Sequence, residues 1–324
     1  MIISKQQSKH IQIFRGLAIL AVVLIHNTPL GLSQVFLRPF FNFSVGLFLF
    51  FSGMLSNIKN YNPKKRIKKI LIPYIIWTLI YVLIANINNL SLLPVDFLKK
   101  LVFGNSAAIM YYVFVYVQLT LLIPLIDRLA KSKFKFLGFL IAPLEIIIIR
   151  MIPEITGLYS LGGYINIIKD LSCLGWFTYY YLGYLIGNNL IVISKSYKKW
   201  IILLICSIFI QIGEAYWQLS MGIINCGTQM KLSSVLTGTF FAILSYNLIF
   251  LKKSYNNKIL EILGNNSFAI YFSHIAVMWF LNLIPIYSKI SFFPINAFIV
   301  IILDLILIYI GKKILGKYSK YLAL

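Results

Sequence analysis

The sequence predicts an all-α, polytopic integral membrane protein with about ten transmembrane helices and both termini cytoplasmic. Three observations lead there. The chain of 324 residues is 60% hydrophobic and only 12% charged, where a soluble domain carries about 25% charge, and its mean hydropathy is +0.86. Apolar windows of about 20 residues, enough to cross the hydrocarbon core as a helix, recur ten times. Finally, the basic residues crowd into alternate connectors.

In order, the expected spans are 11–30, 36–57, 70–88, 110–127, 136–152, 171–190, 200–220, 232–250, 264–285 and 292–311. The first resembles a signal-peptide core, but Arg15 interrupts it and no small-residue cleavage pattern follows, so it reads as a retained span. The second is a bulky aromatic run broken by Ser44, Gly46, Ser52 and Gly53. The third emerges from the densest basic segment, six residues between Lys59 and Lys69, and enters the membrane through Pro73-Tyr74. Glu145, Glu214, His274 and Asp304 punctuate the later spans. The longest connectors, Asn89 to Ile109 and Pro153 to Asp170, are too short for an independent catalytic domain. Pro94 to Phe103 alternates polar and apolar residues at helical spacing, as an interfacial helix does. The chain thus reads as one membrane-embedded domain, 1–324, without a fused soluble domain.

Orientation follows from charge. Placing Lys5/Lys9, Lys59 to Lys69, Arg128 to Lys135, Lys195 to Lys199, Lys252 to Lys258 and Lys312 to Lys320 on the cytoplasmic side puts 22 of the 30 basic residues there, or 23 with Arg15. Arg38, Lys99, Lys100, Arg150, Lys169, Lys231 and Lys289 are the exceptions. A formal charge of +22 would suit nucleic acid on a solvated basic face, but here the charge lies in short connectors, which excludes that class. Cys173, Cys206 and Cys226 are too dispersed for a disulfide framework or a metal cage, and read as buried small hydrophobes. No metal is expected.

Any chemistry must therefore be built between helices. Arg15 and His26 lie eleven residues apart in the first span, three helical turns plus ~20°, so they share a face ~16–17 Å apart along the axis. Ionisable groups inside a span mark a site or a pathway by default. Imidazole can take and return a proton near neutral pH, and arginine binds phosphate through paired hydrogen bonds. The bland alternatives are an interfacial histidine and an arginine snorkelling to the headgroups. Gly16, beside Arg15, lets a helix or a ligand approach closely. Ser52-Gly53 either packs helices tightly or opens a channel beside the first span. Lys65, Arg66 and Lys69 bind lipid headgroups or an anionic ligand. Asn27, Ser52, Tyr112 and Gln118 are polar groups able to donate to an oxyanion or to a neighbouring helix. Glu214, beside Tyr216-Trp217, suits sugar hydroxyls or a structural pair with a basic neighbour. His274 is either a second proton-handling group or a packed, hydrogen-bonded histidine.

These residues resemble a known family. Ile13-Phe14-Arg15-Gly16-Leu17-Ala18 with His26 is similar to the Arg–x10–His opening of the acyltransferase type 3 family of membrane O-acyltransferases. Gly46 to Gly53, GLFLFFSG, resembles that family's aromatic run ending in Ser-Gly. Arg66, Lys69 and Pro73 resemble its basic motif, and Tyr112 to Pro124 its fourth-span pattern. Asn266-Ser267 with Tyr271 and His274 resembles its late Ser…Tyr…His block. Lys69 stands where the family usually has a second arginine, which keeps the charge but loses the bidentate geometry.

The resemblance implies an acyl-CoA-dependent O-acyltransferase of the cell membrane. The donor would be acetyl-CoA or another short acyl-CoA. The acceptor would be a hydroxyl of a cell-surface glycan or lipid-linked sugar precursor. Arg15, Lys65, Arg66, Lys69 and Ser52 would hold the donor, while His26, assisted by Arg15, would act as general base or acyl relay. Asn27, Tyr112, Gln118, Glu214 and His274 would face the acceptor. Larger relatives carry a soluble esterase-like domain, so this chain would transfer directly or hand its acyl group to a separate outer-face transferase. A proton-coupled transporter or flippase of a polysaccharide precursor is the competing class, suggested by ten spans with Glu214, Asp304 and His274.

Overall fold

The computed structural model describes residues 3–157, 169–250 and 256–324. It is all-helical, 78% helix, with no strand among the described residues. Six helices are long and apolar enough to cross a membrane, or up to seven if Tyr111–Leu121 and Ile123–Lys131 form one broken span. That is fewer than the ten apolar windows. The window at 110–127 is interrupted before Ile123, with Pro124 in the first turn of the next helix. The window at 171–190 yields a 3-10 turn, Leu174–Trp176, and the 11-residue helix Phe177–Gly187. The window at 264–285 yields the 16-residue Ser267–Asn282. Hydropathy reports apolar length, whereas a span also needs an unbroken ladder of backbone hydrogen bonds.

The chain divides into two compact units. The first comprises Met1–Tyr61, Leu122–Leu161 and Leu174–Asn265. Its leading helix, Lys5–Asn27, starts before the apolar run because Ser4 and Gln7 form a reciprocal capping box. It stops where Asn27 and Thr28 turn back onto the carbonyls of Val23 (2.8 Å) and Leu24 (2.7 Å). Glycines set the packing of this unit. A Cβ at Gly16 would stand 1.9 Å from the Leu260 carbonyl oxygen, and one at Gly264 would stand 1.8 Å from that of Gln12. Helix Lys5–Asn27 and helix Lys258–Asn265 therefore touch backbone to backbone, as small residues allow within membranes. Ser44–Met54 and Phe177–Gly187 meet the same way: a Cβ at Gly53 would lie 2.0 Å from the Tyr180 carbonyl oxygen, and one at Gly183 2.0 Å from that of Phe50. The space beside Gly53 is thus filled by a helix, the tight-packing alternative of the two that the sequence leaves open.

Acidic and basic side chains within this unit are held by local winding. Glu145 and Arg150 form a buried ion pair at 3.4 Å. They are five residues apart, a spacing that an α-helix would splay around its axis. The segment Ile146–Met151 winds as a π-helix, whose i to i+5 repeat brings the two onto one face. Of the cysteines, Cys173 and Cys226 are buried as expected, but Cys206 is exposed on the outer surface of Tyr197–Ser220.

The second unit comprises Asn62–Leu121, Gly162–Cys173 and Asn266–Leu324. Asn62 caps Pro63–Ala85 by accepting from the Lys65 amide at 3.0 Å, and Pro63 occupies the first turn, where its missing N–H costs nothing. The expected interfacial segment is a helix, Leu93–Phe103, closed by Gly104 in the left-handed region (φ 62°). Ser267–Asn282 and Ile295–Leu315 pack together around a fully buried Asp304, whose carboxylate accepts from Ser273 Oγ at 2.5 Å. Tyr81 from Pro63–Ala85 donates to the Phe272 carbonyl at 2.7 Å and accepts from the Ala276 amide at 3.2 Å.

Candidate functional site

Arg15 and His26 lie on one uninterrupted helix, Lys5–Asn27. The shared face and the ~16–17 Å rise between them therefore hold as the residue spacing requires. Both side chains are half-buried. Arg15 donates to Gln12 Oε1 at 3.4 Å, and its guanidinium carbon lies 6.0 Å from the centroid of Phe48. That contact brings together the two sequence blocks that the first two spans contribute, with a cation against an aromatic face. Ser52, on the same helix as Phe48, donates to the Phe48 carbonyl at 2.9 Å. His26 occupies the last turn of its helix, between the carbonyls capped by Asn27 and Thr28 and the Ile25 carbonyl, which accepts from Arg38 at 3.1 Å.

In the second unit, Lys65, Arg66 and Lys69 stand at the start of Pro63–Ala85. Lys65 and Lys69 are exposed and Arg66 is half-buried. Spacings of three and four residues place them on one side of the helix. The remaining expected residues are more committed. Gln118 donates to the Leu171 carbonyl at 2.7 Å and accepts from the Cys173 amide at 3.2 Å, so both ends of its amide hold the 171–173 segment. The Tyr112 ring lies 5.4 Å from that of Tyr271. His274 is fully buried, with Nδ1 2.8 Å from the Ile270 carbonyl oxygen. In the first unit, the Glu214 carboxylate accepts from both the amide and the hydroxyl of Ser233, at the start of Leu232–Phe250. An anion there is favoured by the helix dipole.

The structure also brings forward residues to which sequence reasoning gave no role. The His26 end of the first unit gathers Gln34 and Arg38 with the 226–231 segment. Arg38 is half-buried, and its Nε is buried without a hydrogen-bond partner. Lys231 is 1% exposed and donates to the Cys226 carbonyl at 2.6 Å. Burial pushes its ammonium down to about 8, against the raising influence of Glu214. Asn42 donates to the carbonyls of Gly227 and Thr228, each at 3.3 Å, and so pins the segment in place. The signal was present in the sequence: Arg38 and Lys231 are two of the seven basic residues that break the charge asymmetry.

A family model described as an acyltransferase domain matches residues 9–311, nearly the whole chain. The chain belongs to the acyltransferase type 3 family. The resemblance drawn from its Arg–x10–His opening and its later blocks is borne out at the level of the family. Neither a curated protein nor a solved structure matches it. Its apolar helices and its family together make it a multi-pass membrane acyltransferase.

Proposed function

We propose that this acyltransferase moves a short acyl group, most simply acetyl, from acyl-CoA to a hydroxyl of a cell-surface glycan or lipid-linked sugar. The observation that carries the reading is the placement of Arg15 and His26 on one face of one unbroken helix. The imidazole removes the acceptor hydroxyl's proton as that oxygen attacks the thioester carbonyl. The C–S bond breaks, the ester forms, and the proton passes from the imidazole to the departing CoA thiolate. Positioned base catalysis of this kind contributes about 10²–10⁴-fold. Arg15 supplies fixed positive charge, and Lys65, Arg66 and Lys69 are the phosphate-binding residues for the donor, chosen for charge, exposure and common helical face. Ser52 is assigned to the donor on the family pattern. Asn27, Tyr112, Gln118, Glu214 and His274 are assigned to the acceptor. Gln118 and Glu214 carry the weakest support, because their hydrogen bonds are already spent within the fold. The protein would act in the cytoplasmic membrane with its basic connectors inward, alone or with a separate outer-face transferase. Family membership favours this chemistry over transport.

The test is transfer of radiolabelled acetyl from acetyl-CoA to surface glycan in membranes holding wild-type or His26→Ala protein. A loss of 10²-fold or more is expected, with insertion and melting of the variant unchanged. Undiminished transfer would refute the reading.

A further inference from the structure

Near the His26 end of the first unit, two cations are brought to the same two residues of backbone. Lys231 Nζ donates to the Cys226 carbonyl, and a Cβ at Gly227 would stand 2.6 Å from Arg38 Cδ. Arg38 in turn donates to the Ile25 carbonyl, one residue from His26. Neither cation forms an ion pair among the described residues. Lys231 has three N–H donors, and its single hydrogen bond uses one of them. Arg38 leaves Nε unused in a buried position.

Such an arrangement of cations is costly in itself. Like charges repel, and a buried ammonium with one neutral partner is poorly compensated. The groups that act on Lys231 are Glu214, Cys226, Arg38 and Glu154. Glu214 is already occupied by the Ser233 amide and hydroxyl. Arg38, which is half-buried, has no carboxylate among the groups that influence it. An anion paired with the half-exposed Arg38 guanidinium would relieve the repulsion. Asn42, through the Gly227 and Thr228 carbonyls, holds the neighbouring backbone in place.

We infer that Arg38, backed by Lys231, forms a binding site for an anionic group on the acceptor, so that the enzyme selects acidic over neutral sugars. The anion is a carboxylate or a phosphate carried by the sugar itself. Arg38 is the contact residue, since its planar fork suits either oxyanion. Lys231 is a positioning residue that adds positive potential from behind. Assigning the anion to the acceptor rests on the acyl-transfer reading above, whereas the existence of the anion site does not.

The experiment is a direct binding titration of the full-length protein in nanodiscs, with no donor present. Three matched oligosaccharides serve as probes: glucosyl, glucuronyl and phosphoglucosyl. Wild type is expected to bind one of the charged probes about tenfold or more tighter than the neutral one, the scale of a charge-assisted hydrogen bond. Preference for the glucuronyl probe identifies a carboxylate, and preference for the phosphoglucosyl probe a phosphate. Arg38→Gln and Lys231→Gln keep a donor for the Ile25 and Cys226 carbonyls while removing charge. The first should abolish the preference and the second should reduce it, with binding of the neutral probe unchanged. His26→Ala protein keeps both cations and should keep the preference, so failure of acyl transfer and failure of anion recognition are told apart. Equal binding of all three probes by wild type, or no binding of any, overturns the inference, as does a preference that survives Arg38→Gln.

Discussion

Asp304 in the second unit and Arg38 with Lys231 in the first are held in different ways. In the second, Asp304 is fully buried: one carboxylate oxygen accepts from Ser273 while Oδ2 is left without a hydrogen-bond partner, and Tyr81, from Pro63–Ala85, is spent on the backbone of Phe272 and Ala276. In the first, Lys231 is held by one carbonyl and Arg38 by the Ile25 carbonyl and the Gln34 amide oxygen, yet Arg38 Nε is unpartnered and its side chain is half-exposed. A buried polar group that is shut off from solvent ties helices together. One that is held in place but incompletely used, at a half-open position, is suited to a ligand. An idle polar atom does not by itself separate structural charge from functional charge, since Asp304 has one too; access does, and Arg38 is half-exposed where Asp304 is shut off.

That contrast can be broken experimentally, and the largest effect expected is at the chemistry itself. His26→Ala should lower transfer by 10²-fold or more, whereas Asp304→Asn should leave it within about twofold, since removing a sealed carboxylate's charge touches no reacting atom. Acetyl-transfer assays on both variants in the same membranes decide the matter. Comparable losses from the two would erase the distinction between the units.

Packing offers the next largest effect. Gly183→Val places a side chain against the Phe50 carbonyl, where even a Cβ would be 2.0 Å away. Overpacking of this kind costs about 1–3 kcal/mol, read as a lower melting temperature in detergent. Ser273→Ala should cost about 1–3 kcal/mol, because it leaves a buried carboxylate oxygen of Asp304 without its donor.

The pH dependence sharpens the comparison further. Lys231 is held down to about 8 by burial, so it carries charge below that pH and loses it above. Preference for an anionic acceptor should therefore be full near pH 7 and decline as pH rises through about 8. Arg38 stays charged throughout, and burial raises the Cys226 thiol, so neither reverses the trend. Titrating the charged and neutral probes at pH 7 and pH 9 measures this, and a preference that strengthens at pH 9 would contradict the assignment of Lys231. The smallest effect expected is at the donor. Lys69→Arg restores paired hydrogen bonding to phosphate and should lower the acetyl-CoA KM by a few-fold, about 0.5–1 kcal/mol.

Much of the molecule was legible beforehand. Composition alone placed the chain in a membrane, and the spacing of Arg15 and His26 held because one capped helix carries both. The interfacial pattern at 94–103 became Leu93–Phe103. Other features are not decided by the sequence, for identifiable reasons. Window counting cannot see that Pro124 interrupts a ladder, or that Leu174–Trp176 winds as a 3-10 turn. Gly53 signals close approach, but only the tertiary fold shows that a helix, Phe177–Gly187, rather than a passage fills the space. Arg38 and Lys231 stood out only as exceptions to a charge rule, with nothing in the sequence to bring them together.

The sequence by itself determined the solvent, the family motifs and the placement of two ionisable groups on one helical stripe, because these depend on composition and on separations of a dozen residues or fewer. The tertiary structure decided which polar groups are spent and which remain available. Hydrogen bonds such as Lys231 to Cys226, Glu214 to Ser233 and Arg38 to Ile25 depend on how the backbone turns between helices, and no periodicity in the sequence records that.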